Sequence, residues 1–419
     1  MGLARYVACM ANERAFDIVV FGATGFTGGL VADYLAAHGG ALRWAIAGRD
    51  ATKLERVRER LRSHGSTPEL IVADASDARA LADMAQRTRV VLTTVGPYIR
   101  YGEPLVKACA EAGTHYVDLT GEPPFVDLVR ERYHAVALGN RAKIVNACGF
   151  DSIPHDLGAY FTVQALRKRL SESEQASTPI SIEAVVRAGG TISGGTWHSA
   201  LEIMGSMRST KPAKMRSPEG RKVGSLPQSI SFQKELGLWT VPMPTIDPLV
   251  VLQSARLLPE YGPEFRYGHY VGLKHWYQVA GLVAGMGTVA GLAQLEATRT
   301  LLGKLKLPGE GPDEETRKRG WFRVIFRGKA GAHRVQCEVR GGDPGYGETA
   351  KMISEAALTL ARDGERLPAH FGVVPSAAAL GNVLIERLVR AGIAFEEISE
   401  EAAKARGPAQ ARAGGEQRA

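Results

Sequence analysis

The run Val19-Val20-Phe21-Gly22-Ala23-Thr24-Gly25-Phe26-Thr27-Gly28 constrains the fold more than any other stretch, because an apolar strand breaks there into a glycine turn and then a helix. Gly22, Gly25 and Gly28 form a G-x-x-G-x-x-G fingerprint. The first glycine permits a tight turn, the second lets the backbone approach a pyrophosphate, and the third lets the helix lie close to the sheet. The free N–H groups at that helix start make an anion site. The required context is present, with an apolar strand before the turn and the amphipathic run from Leu30 to Leu35 after it. Gly22, Ala23, Thr24, Gly25, Phe26, Thr27 and Gly28 are therefore assigned to a dinucleotide; a purely structural turn is the alternative.

The next strand, Leu42 to Ala47, ends in Gly48-Arg49-Asp50. A domain that prefers NAD places an acid at this strand's end, on the adenosine ribose. Arg49 offers instead a planar fork of donors to a 2′-phosphate, and Lys53, one turn on, adds a second cation. This favours NADP(H), with Asp50 as the residue that would reverse the choice; the alternative makes Arg49 a solvated charge and Asp50 a helix N-cap.

The alternation continues. Glu69 to Asp74 reads as a third strand whose terminal Asp74 reaches the adenine side, Arg89 to Val95 as a fourth, His115 to Leu119 and Lys143 to Ala147 as two more, with helical stretches between them. Strands alternating with helices imply an α/β fold, a Rossmann-type doubly wound parallel sheet covered on both faces. Ligands bind at the carboxyl ends of such strands, so Gly96-Pro97-Tyr98, Thr120-Gly121-Glu122 and Cys148-Gly149-Phe150-Asp151 are expected to rim one crevice. Gly96, Pro97 and Cys148 join the cofactor-contact set.

These loops carry a family resemblance. Gly22 to Gly28, Ala47-Gly48-Arg49, Val95 to Tyr98, Tyr116 to Glu122, Cys148 to Gly158, Gly341 to Tyr346 with Thr349-Ala350, and Gly372 to Ala377 resemble the saccharopine dehydrogenase-like oxidoreductases. The similarity is greatest to the branch of trans-acting enoyl reductases and spans nearly the whole chain. It implies an NADPH-dependent oxidoreductase that transfers hydride to a carbon–carbon double bond of a lipid or polyketide intermediate. Two alternatives stay open: reduction of an amino-acid-derived imine or keto substrate, and a non-catalytic NADPH-binding scaffold associated with lipid.

A chain of 419 residues exceeds one ordinary core. The expected plan is an N-terminal extension (1–14), a Rossmann domain (15–160), a second α+β domain for substrate or dimerisation (161–370), C-terminal helices returning to the first domain (371–402) and a disordered tail (403–419). Trp321 to Arg327 and His333 to Arg340 read as paired strands of the second domain. The four cysteines, Cys9, Cys109, Cys148 and Cys337, are widely spaced, which fits a reducing, cytoplasmic compartment and argues against structural zinc. There is no H-E-x-x-H sequence or compact His/Cys run, and no metal is assigned. The net charge of +8 raises nucleic acid as a partner, but the basic run Lys211 to Lys222 is broken by Pro212, Pro218 and Gly220 and lacks aromatics for base stacking. The charge suits an anionic cofactor, an acyl-carrier protein or synthase, or acidic lipid headgroups. A homodimer is compatible with this plan.

The stretch 276–295 contains no Asp, Glu, Lys or Arg and reaches the length needed to cross a bilayer. Three readings apply: a buried or interface helix whose glycines allow close packing, peripheral membrane contact, or a span. For chemistry, Tyr98 is the first proton-donor candidate because its loop follows the fourth strand at the cofactor edge; packing of Pro97-Tyr98 is the plain alternative. His155 and His198 are the other catalytic candidates. Cys148 reads as a small wall residue, Asp151 as a helix cap, and Asp118 and Glu122 as groups that orient loops or contact substrate.

Overall fold

The computed structural model describes residues 14–189, 217, 219–293 and 311–399. Strand β1 (Phe16–Phe21) passes through the glycine turn into α1 (Phe26–His38), followed by β2 (Trp44–Gly48), α2 (Ala51–Arg62), β3 (Glu69–Val72), α3 (Ala78–Gln86) and β4 (Thr88–Thr93). A single helical turn, Tyr98–Tyr101, leads to α4 (Glu103–Ala112), β5 (His115–Val117), α5 (Pro123–Gly139) and β6 (Lys143–Val145). Helix α6 (Ile153–Arg167) carries the chain to β7 (Ile180–Gly189), β8 (Lys222–Ser225), β9 (Ser231–Gln233), β10 (Leu238–Pro242), α7 (Asp247–Leu257), β11 (Glu264–Leu273) and α8 (Trp276–Ala293). Then come β12 (Trp321–Ala330), β13 (His333–Gly341), α9 (Gly347–Arg362), β14 (Gly372–Val373), α10 (Ser376–Arg390) and β15 (Ala394–Ile398).

The first sheet has the order β14-β6-β5-β4-β1-β2-β3, and every pairing in it is parallel. Its strand order reverses between β1 and β4, which opens a crevice at their carboxyl ends. Strand β1 is buried except at Asp17, as expected of a strand covered on both faces. On one face, Leu81, Met84, Leu105, Val106 and Phe125 form one core; on the other, the strands share a continuous core with α1, α6, α9 and α10.

That second core continues into a mixed sheet ordered β15-β13-β12-β7-β11-β10-β9, with β8 pairing β11. Strand β7 runs parallel to β11 and antiparallel to β12. Helix α6 packs across this sheet so closely that a Cβ on Gly158 would lie 2.3 Å from the Phe326 ring. The position 160/161 falls inside α6, so this helix belongs to both halves. The end of the chain is divided: β14 joins β6 in the first sheet, whereas β15 pairs β13 in the second. Between them α10 is tied to α6 by the Asp156 carboxylate, which accepts from Ser376 Oγ and Ala377 N, both at 2.7 Å.

Burial, then the cations Lys143 and Arg14, pushes His115 down to about 4, and its Nδ1 accepts from Lys143 N at 3.0 Å. Its folded value thus lies below the ordinary value near 6.5. Below that pH the unfolded chain binds a proton that the native ring refuses, so stability held above pH 6.5 is lost toward pH 4. We expect the His115 contribution to fall by up to about 2 kcal/mol between pH 7 and pH 5. Urea unfolding of wild type and His115→Asn at both pH values checks this: the variant should flatten that part of the profile.

The buried reading of 276–295 is corrected over its described part. Trp276, Tyr277, Val283 and Leu292 of α8 are 67, 59, 47 and 40 % exposed. Among the described elements the helix lies chiefly against β10 and β11, and its apolar residues are not gathered on one side. Among the described residues nothing stands where a Cβ on Gly281, Gly285, Gly287 or Gly291 would lie, so close packing against them does not explain these glycines. Among the described residues no helix is long and apolar enough to cross a membrane.

Candidate active site

The glycine turn is built for close approach. Gly22 has φ +96°, its N–H donates to Ala47 O at 2.8 Å, and Gly25 N–H donates back to Gly22 O at 3.0 Å. A Cβ on Gly28 would fall 2.1 Å from Gly22 O, so only glycine lets α1 start this near β1. Gly25 is the N-cap and supplies no side-chain bond, and no acid occupies the first turn. The N–H groups there, with the positive end of the helix dipole, remain available to a phosphate. Thr24 and Gly25 are exposed at this turn while Ala23 is buried beneath it.

At the end of β2 the structure separates the two rival residues. The Asp50 carboxylate caps α2 by accepting from Lys53 N at 3.0 Å. Arg49 stands exposed, close enough to Asp74 to lower its carboxyl. Asp74 itself is held mainly by Ser76, whose hydroxyl and N–H donate at 2.6 and 2.9 Å. Lys53 is exposed and lies 3.9 Å from Asp50. The residues present thus fit a 2′-phosphorylated nucleotide: α1 begins with uncapped N–H groups, and the cations Arg49 and Lys53 stand exposed after β2.

The crevice loops are cross-braced by buried carboxylates. Glu122 accepts from Tyr98 N and Ile99 N at 3.0 and 2.9 Å and thereby fixes the turn after Gly96-Pro97. Asp118, fully buried, accepts from Tyr116 Oη, Asn146 Nδ2, Thr120 N and Ala147 N at 2.7–3.1 Å. Burial pushes Asp118 up to about 6, against the pull of these donors. Ala147 adopts φ +59°, a left-handed conformation held by this carboxylate.

Tyr98 lies at the expected place, but its hydroxyl is turned inward. It donates to Thr93 O at 3.2 Å and accepts from Leu119 N at 3.1 Å, and the side chain is buried. Burial, and next the Asp118 carboxylate, drives its phenol far above the ordinary range. The proton-donor expectation for Tyr98 is corrected accordingly: its hydroxyl joins two loops. Cys148 is also buried, its Sγ donating to Val145 O at 3.3 Å, with burial raising the thiol well above its usual value. Its side chain belongs to the core shared by the two halves. His198 lies outside the described residues.

The second half of the chain closes on the crevice. Phe150 N donates to Thr349 Oγ1 at 3.1 Å, and the Phe150 ring meets Phe322 edge-on at 5.0 Å. The Tyr346 ring meets Phe26, the first residue of α1, at 4.9 Å. Asp343 braces that loop by accepting from Tyr346 N and Gly347 N at 3.1 and 3.0 Å.

Beside Phe150, at the start of α6, His155 meets two residues that no local pattern had singled out. Its Nδ1 is 2.9 Å from Asp247 Oδ1, and His269 Nε2 is 3.5 Å from Asp247 Oδ2. Burial alone would raise the Asp247 carboxyl; the imidazoles of His155 and His269 and the Thr245 hydroxyl hold it below its ordinary value. Asp151 does not cap α6, whose N-cap is Ser152 with no side-chain bond. Burial, and then Asp247, pushes Asp151 up to about 6. Asp247 and His269 come from α7 and β11, so nothing in the neighbourhood of His155 in the sequence announced them.

Comparison with known proteins agrees with this geometry. Residues 18–176 match the saccharopine dehydrogenase NADP binding domain. A Mycobacterium tuberculosis protein carrying the provisional name trans-acting enoyl reductase is 39% identical over 416 residues, covering 92% of this chain and 98% of its own. A Mycobacterium bovis protein named trans-acting enoyl reductase is 37% identical over 412 residues, covering 91% and 97%. Among solved structures, saccharopine dehydrogenase (L-Glu forming) from Saccharomyces cerevisiae shares the fold with a TM-score of 0.52 at 13% identity, covering 91% of this chain and 99% of that one. The chain therefore belongs to the saccharopine dehydrogenase-like oxidoreductases, in the group of the trans-acting enoyl reductases, and is an NADP-dependent enzyme.

Proposed function

We propose that this enzyme reduces a carbon–carbon double bond conjugated to a thioester in a lipid or polyketide intermediate. The observation that carries the reading is the fingerprint turn with Arg49 exposed and Asp50 committed to capping α2, joined to relatives of that name over most of the chain. When bound, NADPH supplies a hydride to the β-carbon; the electron pair moves to the thioester oxygen, and the α-carbon then takes a proton. The chain's own part is positional. Its α1 N-terminus and Arg49 hold phosphates, Tyr98 and Glu122 fix the loop beyond β4, and the buried polar cluster at His155 forms one end of the crevice wall. The Phe150–Phe322 and Tyr346–Phe26 ring contacts pack the second half of the chain against the loops and helix start of the first.

The test is oxidation of NADPH by the purified enzyme with α,β-unsaturated acyl thioesters of graded length, beside 2-keto acids paired with amino acids. Turnover confined to the keto and amino acids would replace the enoyl reading. Arg49→Ala should weaken NADPH roughly tenfold and leave NADH unchanged, the loss of about 1.5 kcal/mol expected for a charged hydrogen bond. Nicotinamide fluorescence titration measures both.

The exposed helix α8 suits a lipid-facing role in the same reaction. Ala280, Gly281, Val283, Ala284 and Gly285 are all exposed, so apolar surface is presented on more than one side, and Trp276 and Tyr277 stand at its start after Lys274. Aromatic and basic residues placed this way favour a headgroup interface. Co-sedimentation with anionic liposomes should be lost in Trp276→Ser/Tyr277→Ser; binding unchanged in that variant would discard the lipid-facing role.

A further inference from the structure

Three side chains meet beside the crevice with the composition of a metal site. His155 stands in the first turn of α6, Asp247 opens α7, and His269 lies in β11. One ligand-type atom from each lies within 4.8 Å of the other two. The His155, Asp247 and His269 side chains are 2, 4 and 2 % exposed.

His155 Nδ1 and Asp247 Oδ1 approach to 2.9 Å as an ion-pair contact, outside well-aligned hydrogen-bond geometry. Both ring nitrogens of His155 and Oδ1 of Asp247 are left without a hydrogen-bond partner. Orphaned buried polar atoms cost about 1–3 kcal/mol each, and folded proteins rarely leave three together. A cation satisfies Nδ1 and Oδ1 at once. Held tetrahedrally at about 2.0–2.1 Å, it keeps neighbouring ligand atoms about 3.3 Å apart with no hydrogen between them. The 2.9 Å separation of His155 Nδ1 from Asp247 Oδ1 is near that value, and His269 Nε2 stands 3.5 Å from the other carboxylate oxygen, Oδ2.

The surroundings are those of oriented ligands. Tyr267 Oη meets His269 Nδ1 at 3.3 Å, which leaves Nε2 toward the carboxylate, and the Thr245 hydroxyl donates to Asp247 Oδ2. Such outer contacts fix the ring orientation and carboxylate aim that a metal requires. Asp151, close to both Asp247 and His155, brings a second carboxyl to balance a divalent charge.

We propose that His155, Asp247 and His269 bind one divalent first-row transition ion of the zinc class through two imidazole nitrogens and one carboxylate oxygen. Magnesium and calcium prefer all-oxygen shells, whereas imidazole with carboxylate suits zinc and its neighbours. The ion ties the first turn of α6 to α7 and to β11 of the second sheet. It deepens the reductase reading by naming what occupies that end of the crevice wall, and its test needs no substrate.

Full-length protein prepared without a histidine tag is dialysed against zinc, freed of excess, and analysed for metal. The expected result is one zinc ion per chain, a Tm lowered by chelation and restored by zinc, and loss of the equivalent in His269→Gln and in Asp247→Asn. Cobalt substituted for zinc should give the visible absorption of a four-coordinate nitrogen and oxygen site, and this decides the matter if either variant fails to fold. Wild type that holds no stoichiometric zinc and shows no such cobalt spectrum overturns the proposal, as does zinc retained by both folded variants. NADPH titration of the same samples reports separately on the reductase reading.

Discussion

Gly28→Ala should cost the enzyme its cofactor and much of its stability together. The added Cβ would sit 2.1 Å from Gly22 O, 2.8 Å from Gly22 C and 2.8 Å from Thr94 Oγ1. Two of these atoms are backbone of the turn itself and cannot rotate away. Relief requires α1 to retreat from β1, which withdraws its N–H groups from the phosphates. A loss of about 3 kcal/mol is expected, at the upper end for overpacking, and NADPH binding should weaken by roughly 100-fold or more, since each 1.4 kcal/mol is tenfold. Gly25→Ala is the control: its Cβ would meet Gly22 O at 3.5 Å, ordinary contact, so the fold tolerates it while a phosphate does not. Thermal unfolding and NADPH titration separate the two. Equal Tm values for Gly28→Ala and wild type would remove the steric account of this turn.

Asp118→Ala should be the most destabilising substitution at the crevice. Among the described residues the carboxylate is the acceptor for four groups in a fully buried setting: Tyr116 Oη, Asn146 Nδ2, Thr120 N and Ala147 N. Removing it strands donors that cost about 1–3 kcal/mol each, so a loss of about 4 kcal/mol or more follows. Native domains have about 5–15 kcal/mol in all, and much of the variant is expected to be unfolded or aggregated. Asp118→Asn keeps the volume and one acceptor oxygen and should fall between the two. Urea unfolding of the three proteins gives the order; an alanine variant within 1 kcal/mol of wild type would contradict the bracing role.

The crevice shows why aim is harder to read than position. Tyr98 and Cys148 follow the carboxyl ends of β4 and β6, and His155 stands in the first turn of α6. The direction of each side chain depends on distant partners. Tyr98 turns inward because Thr93 and Leu119 satisfy both sides of its hydroxyl, and Cys148 is sealed beneath the loop that Asp118 anchors. In the same way the sequence leaves Asp50 as the residue that would reverse the choice of nucleotide, and its bond to Lys53 N shows it capping α2.

The stretch at Trp276 illustrates a second limit. A helix follows from its composition, but an apolar run diluted by glycine on every side carries no period that distinguishes burial from exposure. Its placement beside β10 and β11 leaves Trp276 and Tyr277 open.

By itself the sequence determined the glycine turn, the parallel Rossmann sheet and the cationic residue after β2, because turn sterics and strand–helix periodicity act within a few neighbouring residues. The tertiary structure decided which carboxylates brace the crevice, how β14 and β15 divide between two sheets, and how His155, Asp247 and His269 meet. Those outcomes depend on long-range strand pairing and on the packing of α6 and α7 against both halves of the protein, where the contacts of many residues sum to one arrangement that no local segment encodes.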